Sequence, residues 1–390
     1  MATAAMNHAQ PSSEPASSVA LASTVCVQNG AGEPPLDVVD IFVDGSTEAS
    51  LREGALRVLQ HVRPCWDLSL VQFKTFTDGI TNQLVGCWQG GGELGEEALL
   101  LRIYGQKTEL FIDRSAEVLN MRLLHAHGLA APLHCAFRNG LCYGFNPGCV
   151  GDTQLVRDPH ISRLIAQTLA RMHSVKLHKG GQVAPSLFPT LHKYLRLVPT
   201  HFDDIEKNLS ERFVSCIPSK AELELEVSLL EEHLSGLGSP VVFCHNDLLV
   251  KNIIYQEKQG RVIFIDFEYA DNNYQALDIG NHFCEFGGVE RFDSSLYPDR
   301  EFQLCWLQHY LDEWHRLAGR GECASSRDVE VLYVQVNKFA LASCMLWCLW
   351  ALIQAAHSTI KFDFIQFALE RLDMYKRHKA EFIDLKLPPS

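Results

Sequence analysis

Apolar and polar positions alternate with a short period in the first part of this chain and with a helical period through most of the rest. Residues 47–61 set Leu51, Ala55, Leu56 and Leu59 on one face behind a Ser46 or Thr47 cap, which predicts a helix. Strands are expected over 71–76, 83–88 and 98–104, and a second helix over 113–126, capped by Asp113 with Val118, Met121, Leu124 and His125 on one side. Residues 137–145 read as two short strands about Asn139-Gly140, a pair that favours a type I′ hairpin turn. Three later runs, 241–243, 253–255 and 262–265, are β-branched or aromatic and bounded by polar residues, as buried strands are. A hairpin is expected between the last two, through the polar stretch 256–261 that contains Gly260. Helical periodicity marks 161–173, 220–234, 301–317, 328–356 and 363–379. The expected class is α+β: a small mixed β-sheet with one helix between its strands, then a larger, mostly helical part.

Two segments need separate treatment. Residues 339–356 are apolar enough to reach spanning length, yet they carry Ser343 and Gln354 and follow Asn337-Lys338. With no second segment of this kind, a buried helix and no membrane insertion are expected. Residues 1–36, rich in Ala, Ser and Pro and without periodicity, are expected to be a disordered tail. They lack the basic start of a signal peptide.

Candidate chemistry sits beside the second group of strands. His245-Asn246-Asp247 is followed by Asn252, five residues after Asp247, and by Asp266, fourteen residues further on. Phosphoryl transfer from ATP wants one carboxylate to orient and deprotonate the attacking hydroxyl. It also wants a carboxamide and a second carboxylate to hold Mg2+ against the phosphates. Protein kinases assign these tasks to H-R-D-x-x-x-x-N and D-F-G. The spacing here predicts a kinase-type site, with His245, Asp247 and Asn252 in a catalytic loop and Asn252 and Asp266 on the metal.

The expected phosphate grip is the tight segment Thr77-Asp78-Gly79-Ile80-Thr81-Asn82. One glycine lets the backbone approach, and two hydroxyls and an amide can donate to phosphate oxygens. The glycine run at 90–95 opens no helix and lacks a P-loop lysine, so it reads as an exposed hairpin loop. Arg102 stands mid-strand in LLLRIYG, where burial is expected, and a buried arginine needs a partner. Glu117 on the following helix is that partner, an analogue of the kinase Lys–Glu pair.

Composition narrows the partners. At 390 residues with 47% hydrophobic and 21% charged, the chain can bury an ample globular core. A net charge of −13 argues against broad nucleic-acid binding, which wants a basic face. Thirteen cysteines, odd in number and without a C-x-x-C pair, read as reduced thiols of a cytoplasmic protein. His282, Cys284 and Glu285 lie close together but lack the spacing of a tetrahedral zinc site.

Together TFTDGITN, LLLRIYG, the DRxxE of 113–117, NGLCY, FCHNDLLxKNIIY, FIDFEYA, NYQALDIGNHFCEF and VQVNKFALAS with the tryptophans after it resemble the choline/ethanolamine kinase family. The likeness covers about residues 54–375, and FCHNDLL, NKFALAS and STI-x-FDF are closer to its ethanolamine branch. It implies a two-lobed protein-kinase-like fold, with an ATP-binding N-lobe over 37–148 and a catalytic, amino-alcohol-binding C-lobe over 149–390. It implies a cytoplasmic monomer or homodimer that phosphorylates ethanolamine, the first step of the ethanolamine branch of phosphatidylethanolamine synthesis. A choline-preferring or dual enzyme is the alternative.

Residue by residue, the resemblance makes Asp247 the base and puts Asn252 and Asp266 on Mg2+ and Arg102 with 77–82 on ATP. It turns Glu285, Tyr269, Trp347, Trp350 and Phe362 toward the ammonium end of the substrate. An ammonium wants carboxylates for charge and ring faces for cation–π attraction. Glu268, where a protein kinase has the Gly of D-F-G, joins them, and Asp278 is expected to anchor the catalytic loop. Cys344 and Gly144 depart from the family, where His and Glu are expected, and bear on pocket shape. An aminoglycoside-type phosphotransferase shares H-x-D-x-x-x-x-N, but IGNHFCE and the tryptophans count against it. A catalytically silent pseudokinase would have lost its base or a metal ligand, and Asp247, Asn252 and Asp266 are all present.

Overall fold

Capping chemistry starts the first helices where the sequence places it. The Thr47 hydroxyl accepts from the Ser50 backbone in a capping box that opens α1 (Glu48–Val62), and Asp113 accepts from Ser115 and Ala116 to open α2 (Arg114–Ala126). A computed structural model describes residues 35–76, 82–92, 94–105, 111–176, 183–200, 209–288, 292–321, 323–358, 360 and 362–389. The phosphate-grip residues 77–81 and the expected tail, apart from its last two residues, lie outside the described residues.

Six strands form the first sheet: β1 (Asp37–Val39), β2 (Val71–Phe76), β3 (Asn82–Gln89), β4 (Leu99–Tyr104), β5 (Leu133–Phe137) and β6 (Gly140–Gly144), in the order β1-β5-β6-β4-β3-β2. β1 pairs with β5 in parallel and the other neighbours are antiparallel, so the sheet is mixed. Central β4 is almost continuously buried, which is why it reads LLLRIY rather than alternating. Leu51, Ala55, Val58 and Leu59 of α1 pack on Val85, Leu101 and Phe137 to make a core of its own for this part.

One turn differs from expectation. The β5–β6 hairpin turns on Arg138 and Asn139, and neither has the positive φ that a type I′ turn requires. Gly140 is needed for a different reason: a Cβ there would overlap the Arg102 carbonyl oxygen across the sheet.

After β6 the chain becomes mainly helical. α3 (Pro159–Ser174), α4 (Leu187–Leu197), α5 (Leu209–Cys216), α6 (Lys220–Leu234), α7 (Gln275–Cys284), α8 (Arg300–Leu317), α9 (Ser326–His357) and α10 (Phe364–Asp384) surround two small sheets. In one, β9 (Ile253–Gln256) lies between β7 (Cys149–Val150) and β10 (Arg261–Phe264); in the other, β8 (Val241–Cys244) pairs with β11 (Asp271–Tyr274). Gly260, at φ 58°, closes the expected β9–β10 hairpin. In α9, 83% of the most apolar 18-residue window is buried inside the molecule, between α7, α8 and α10. The small mixed sheet followed by a mostly helical part is the class the periodicity predicts.

Candidate active site

The short strands bring the expected residues together. β8 delivers His245-Asn246-Asp247, a 3-10 turn over Val250–Asn252 returns the chain into β9, and β10 ends just before Asp266. Asn246 (φ 63°) and Asp266 (φ 67°) are the two non-glycine residues with left-handed backbone among the described residues. Such strain persists only where the surroundings over-determine it.

Asp278 does much of that determining. From the first turn of α7 its carboxylate accepts the backbone N–H groups of His245 and Asn246, both at 2.7 Å, and pairs with His173 Nε2 at 2.9 Å. Burial pushes its pKa up, but the His173 hydrogen bond, the nearby His173 and His245 side chains and the His245 backbone N–H more than reverse this, holding the carboxyl below its usual range. The Asn246 amide donates to the Tyr269 carbonyl and its oxygen accepts from Asn273. The Asn252 amide donates to the Asp247 carbonyl at 2.9 Å, which turns the Asn252 carboxamide oxygen the other way. His173, Cys244 and Asp278 form a buried trio of metal-ligand types, but the Asp278 oxygens already hold the loop N–H groups and His173.

His245, expected to be catalytic, is fully buried and turned into the core against Phe264 and Phe267. Its Nε2 donates to the Ile265 carbonyl at 3.0 Å, and burial lowers its pKa, so the ring is neutral. The geometry gives it a positioning role, tying the Asp247 loop to the segment that carries Asp266.

Asp247 is half-buried, and its carboxyl is held well above the usual range, by burial first and then by Asp266, Glu285, Glu268 and Asp278. Across the cleft, Arg102 is buried as expected. It donates to Glu117 at 2.7 Å and also, beyond the expectation, to Asp266 at 2.6 Å. Arg114, not singled out from the sequence although it lies within the DRxxE motif, bridges Glu117 at 2.9 Å and Glu268 at 3.1 Å. Asn82 donates to Glu268 as well, at 3.0 Å. Burial and the nearby Asp266 push the Glu268 carboxyl up to about 7 despite these two arginines. Glu268 therefore ties the sheet to the catalytic segment.

Beside the loop lies a cavity of about 200 Å³ lined by Asn246, Glu268, Tyr269, Trp347, Tyr194 and Phe111, among others. Tyr269 and Trp347 meet edge to face at 5.5 Å, and Trp350 donates to the Tyr269 hydroxyl at 3.0 Å. Trp347 Nε1 donates to Asn281 of α7. Trp350, Phe362 and Glu285 do not line this cavity. Trp350 forms the layer behind it, packed on Phe364 and Phe367, and Phe362 packs on the same two rings. Glu285 is buried against Arg371. The lining residues Phe111, Thr190 and Tyr194 carried no sequence signal, because single aromatic or hydroxyl residues on helices and loops read equally well as core or surface.

Residues 73–376 match the family model for choline/ethanolamine kinases. The chain is 49% identical over 372 residues to ethanolamine kinase 1 of Homo sapiens, covering 95% of this chain and 81% of that protein. It is 50% identical over 357 residues to ethanolamine kinase 1 of Mus musculus, covering 92% and 97%. Among solved structures, the ethanolamine kinase of Plasmodium vivax superposes with a TM-score of 0.74 at 26% identity, over 86% of this chain and 90% of that one. The choline kinase of Cryptosporidium parvum shares the fold, with a TM-score of 0.70 at 24% identity over 85% and 96%.

Proposed function

This chain belongs to the choline/ethanolamine kinase family, and we propose that it transfers the γ-phosphoryl group of ATP to the hydroxyl of ethanolamine, with Asp247 as the proton acceptor. The observation that carries this reading is the placement of Asp247 on a strained loop strapped by Asp278, next to a small cavity walled by a carboxylate and aromatic rings.

An alcohol becomes a nucleophile as a base takes its proton while the new P–O bond forms. Asp247 is suited to this: its surroundings raise its proton affinity, and the Asp278 strap holds its position. Arg102, which donates to Glu117 and Asp266, is the cation that would grip phosphate oxygens, together with the 77–82 segment. Asn252 and Asp266 offer hard oxygen donors and no sulfur or imidazole, a set that fits Mg2+. One Asp266 oxygen accepts from Arg102, and the carboxamide oxygen of Asn252 is turned away from its own amide's partner. Bound there, Mg2+ supplies positive charge against the phosphate oxygens. Glu268, Tyr269 and Trp347 face the cavity directly, while Trp350, Phe362 and Glu285 support its wall.

Ethanolamine is favoured over choline by the relatives named above and by the modest cavity, below the usual 300–1,000 Å³ or so of ligand pockets. Free thiols on the described cysteines and the burial of α9 support action in the cytoplasm without membrane insertion. The test is initial-rate ADP release with magnesium and ATP, titrating ethanolamine and choline in parallel, with Asp247→Ala alongside. A much higher kcat/KM for ethanolamine is expected, and Asp247→Ala should release ADP no faster than a reaction without protein. Equal or better choline turnover would move the chain to the dual or choline-preferring class, and no turnover of either would overturn the substrate reading.

A further inference from the structure

Trp347 is 7% exposed, and its indole N–H, which can only donate, is satisfied by the side-chain oxygen of Asn281 at 2.7 Å. The Ser343 hydroxyl donates to the same oxygen, also at 2.7 Å, so both acceptor positions of that amide are taken. This fixes which way Asn281 points. Its amide nitrogen is turned to the other side, buried and without a hydrogen-bond partner among the described residues. An unpaired buried amide costs stability that an apolar residue would not incur. What the fold gains for that cost is a fixed indole.

The place of that indole matters because Trp347 lines the cavity beside the catalytic loop. Tyr269 and Trp350 each meet its ring edge to face at 5.5 Å, and the Asn281 oxygen holds the N–H edge between them. Asn281 lies three residues after Asp278 in α7, so one face of one helix holds both the catalytic loop and this wall. In a cavity of about 200 Å³ the position of one indole decides how large a head group fits.

We propose that Asn281 is a positioning residue for specificity: by holding Trp347 it fixes the distance from the Asp247 loop to the wall, which admits a primary ammonium and rejects a trimethylated one. This rests on the ethanolamine kinase reading above. A rigid wall rejects extra methyl groups because it cannot retreat from them. Once the indole N–H loses its acceptor, the ring leaves its place, contact with the small ammonium weakens and the larger head group is no longer refused.

Steady-state rates with ethanolamine and with choline, for wild type, Asn281→Leu, Trp347→Phe and the double variant, test this. Asn281→Leu should narrow the ratio of kcat/KM for ethanolamine over choline by about tenfold or more, chiefly through a higher KM for ethanolamine, with the KM for ATP within about twofold of wild type. Trp347→Phe, which has no N–H to hold, should narrow the ratio to a similar extent, and adding Asn281→Leu to it should narrow it no further. An equal fall in kcat with both substrates at an unmoved ratio, as a weakened fold gives, overturns the proposal. A full additional narrowing in the double variant also overturns it, because Asn281 would then act other than through Trp347. Should Asn281→Leu not fold alone, the double variant removes the buried indole donor together with its acceptor, and its comparison with Trp347→Phe decides between the same two outcomes. Wild-type protein that turns over neither substrate, or shows no preference for ethanolamine, overturns the underlying reading, and this proposal with it.

Discussion

His282 shows how a single buried side chain can make stability depend on pH. Its Nδ1 donates to the Leu248 carbonyl at the far side of the catalytic loop, while Nε2 has no partner among the described residues. Rings of Phe283, Phe286 and Trp306 surround it, and burial lowers its pKa to about 4. The unfolded chain binds this proton near pH 6.5 and the folded chain only near 4, so folding loses stability as pH falls through that window. The full effect is on the order of 3 kcal/mol at the acid end. His282→Phe keeps the ring packing and removes the titration. Its urea midpoint should therefore fall less steeply than that of wild type between pH 6.5 and 4. Parallel slopes for the two proteins would mean that His282 is not buried in neutral form.

At the scale of elements, close helix contact sets the position of the catalytic strap. Gly280 lies two residues after Asp278 in α7, and a Cβ there would stand 2.8 Å from the Val336 carbonyl oxygen and 2.9 Å from the Ala340 nitrogen of α9. Both are backbone atoms of a packed helix and cannot swing aside. Gly280→Ala should cost about 1–3 kcal/mol, read as a lower urea midpoint. It should also reduce kcat, because moving α7 moves the Asp278 oxygens that hold the loop N–H groups. Unchanged midpoint and rate would mean the helices part without strain.

The same helix marks the limit of what the sequence reveals. All ten residues of α7 are buried, so its polar stripe of Gln275, Asp278, Asn281 and His282 faces other protein groups rather than water, which helical spacing alone does not tell from a wet face. The expected helices 220–234 and 363–379 were legible because one face stays wet. Asp247, Asn252 and Asp266 were legible from spacing, and the Arg102–Glu117 pair from an arginine in an apolar strand. The second arginine of that network, Arg114, was not. At the start of a helix a cation reads as surface, and only the approach of Glu268, 154 residues away, makes it part of the cleft.

Across the whole molecule, the mixed sheet meets the helical part through an ionic network that, among the described residues, is not charge-balanced. Arg102 and Arg114 face Glu117, Asp266 and Glu268, with Asp247 close enough to feel the last two. Two guanidiniums against four carboxylates leave an excess of negative charge in a partly buried cleft, where like charges repel more strongly than in water. A divalent cation at Asn252 and Asp266 relieves that excess, and whatever binds only the folded state stabilises it by mass action. Adding Mg2+ with ATP should therefore raise the Tm by about 2–5 °C at saturating ligand, and chelation should reverse the gain. Asp266→Asn removes one donor of the cation and breaks the 2.6 Å pair with Arg102, so its Tm should not respond to the metal. If the variant and wild type gain equally, the metal binds elsewhere and the cleft charge has another counterion. If neither gains, the repulsion is already relieved by protons. That second outcome would agree with the raised proton affinities of Asp247 and Glu268, and the gain would then appear only at higher pH, once those protons have left.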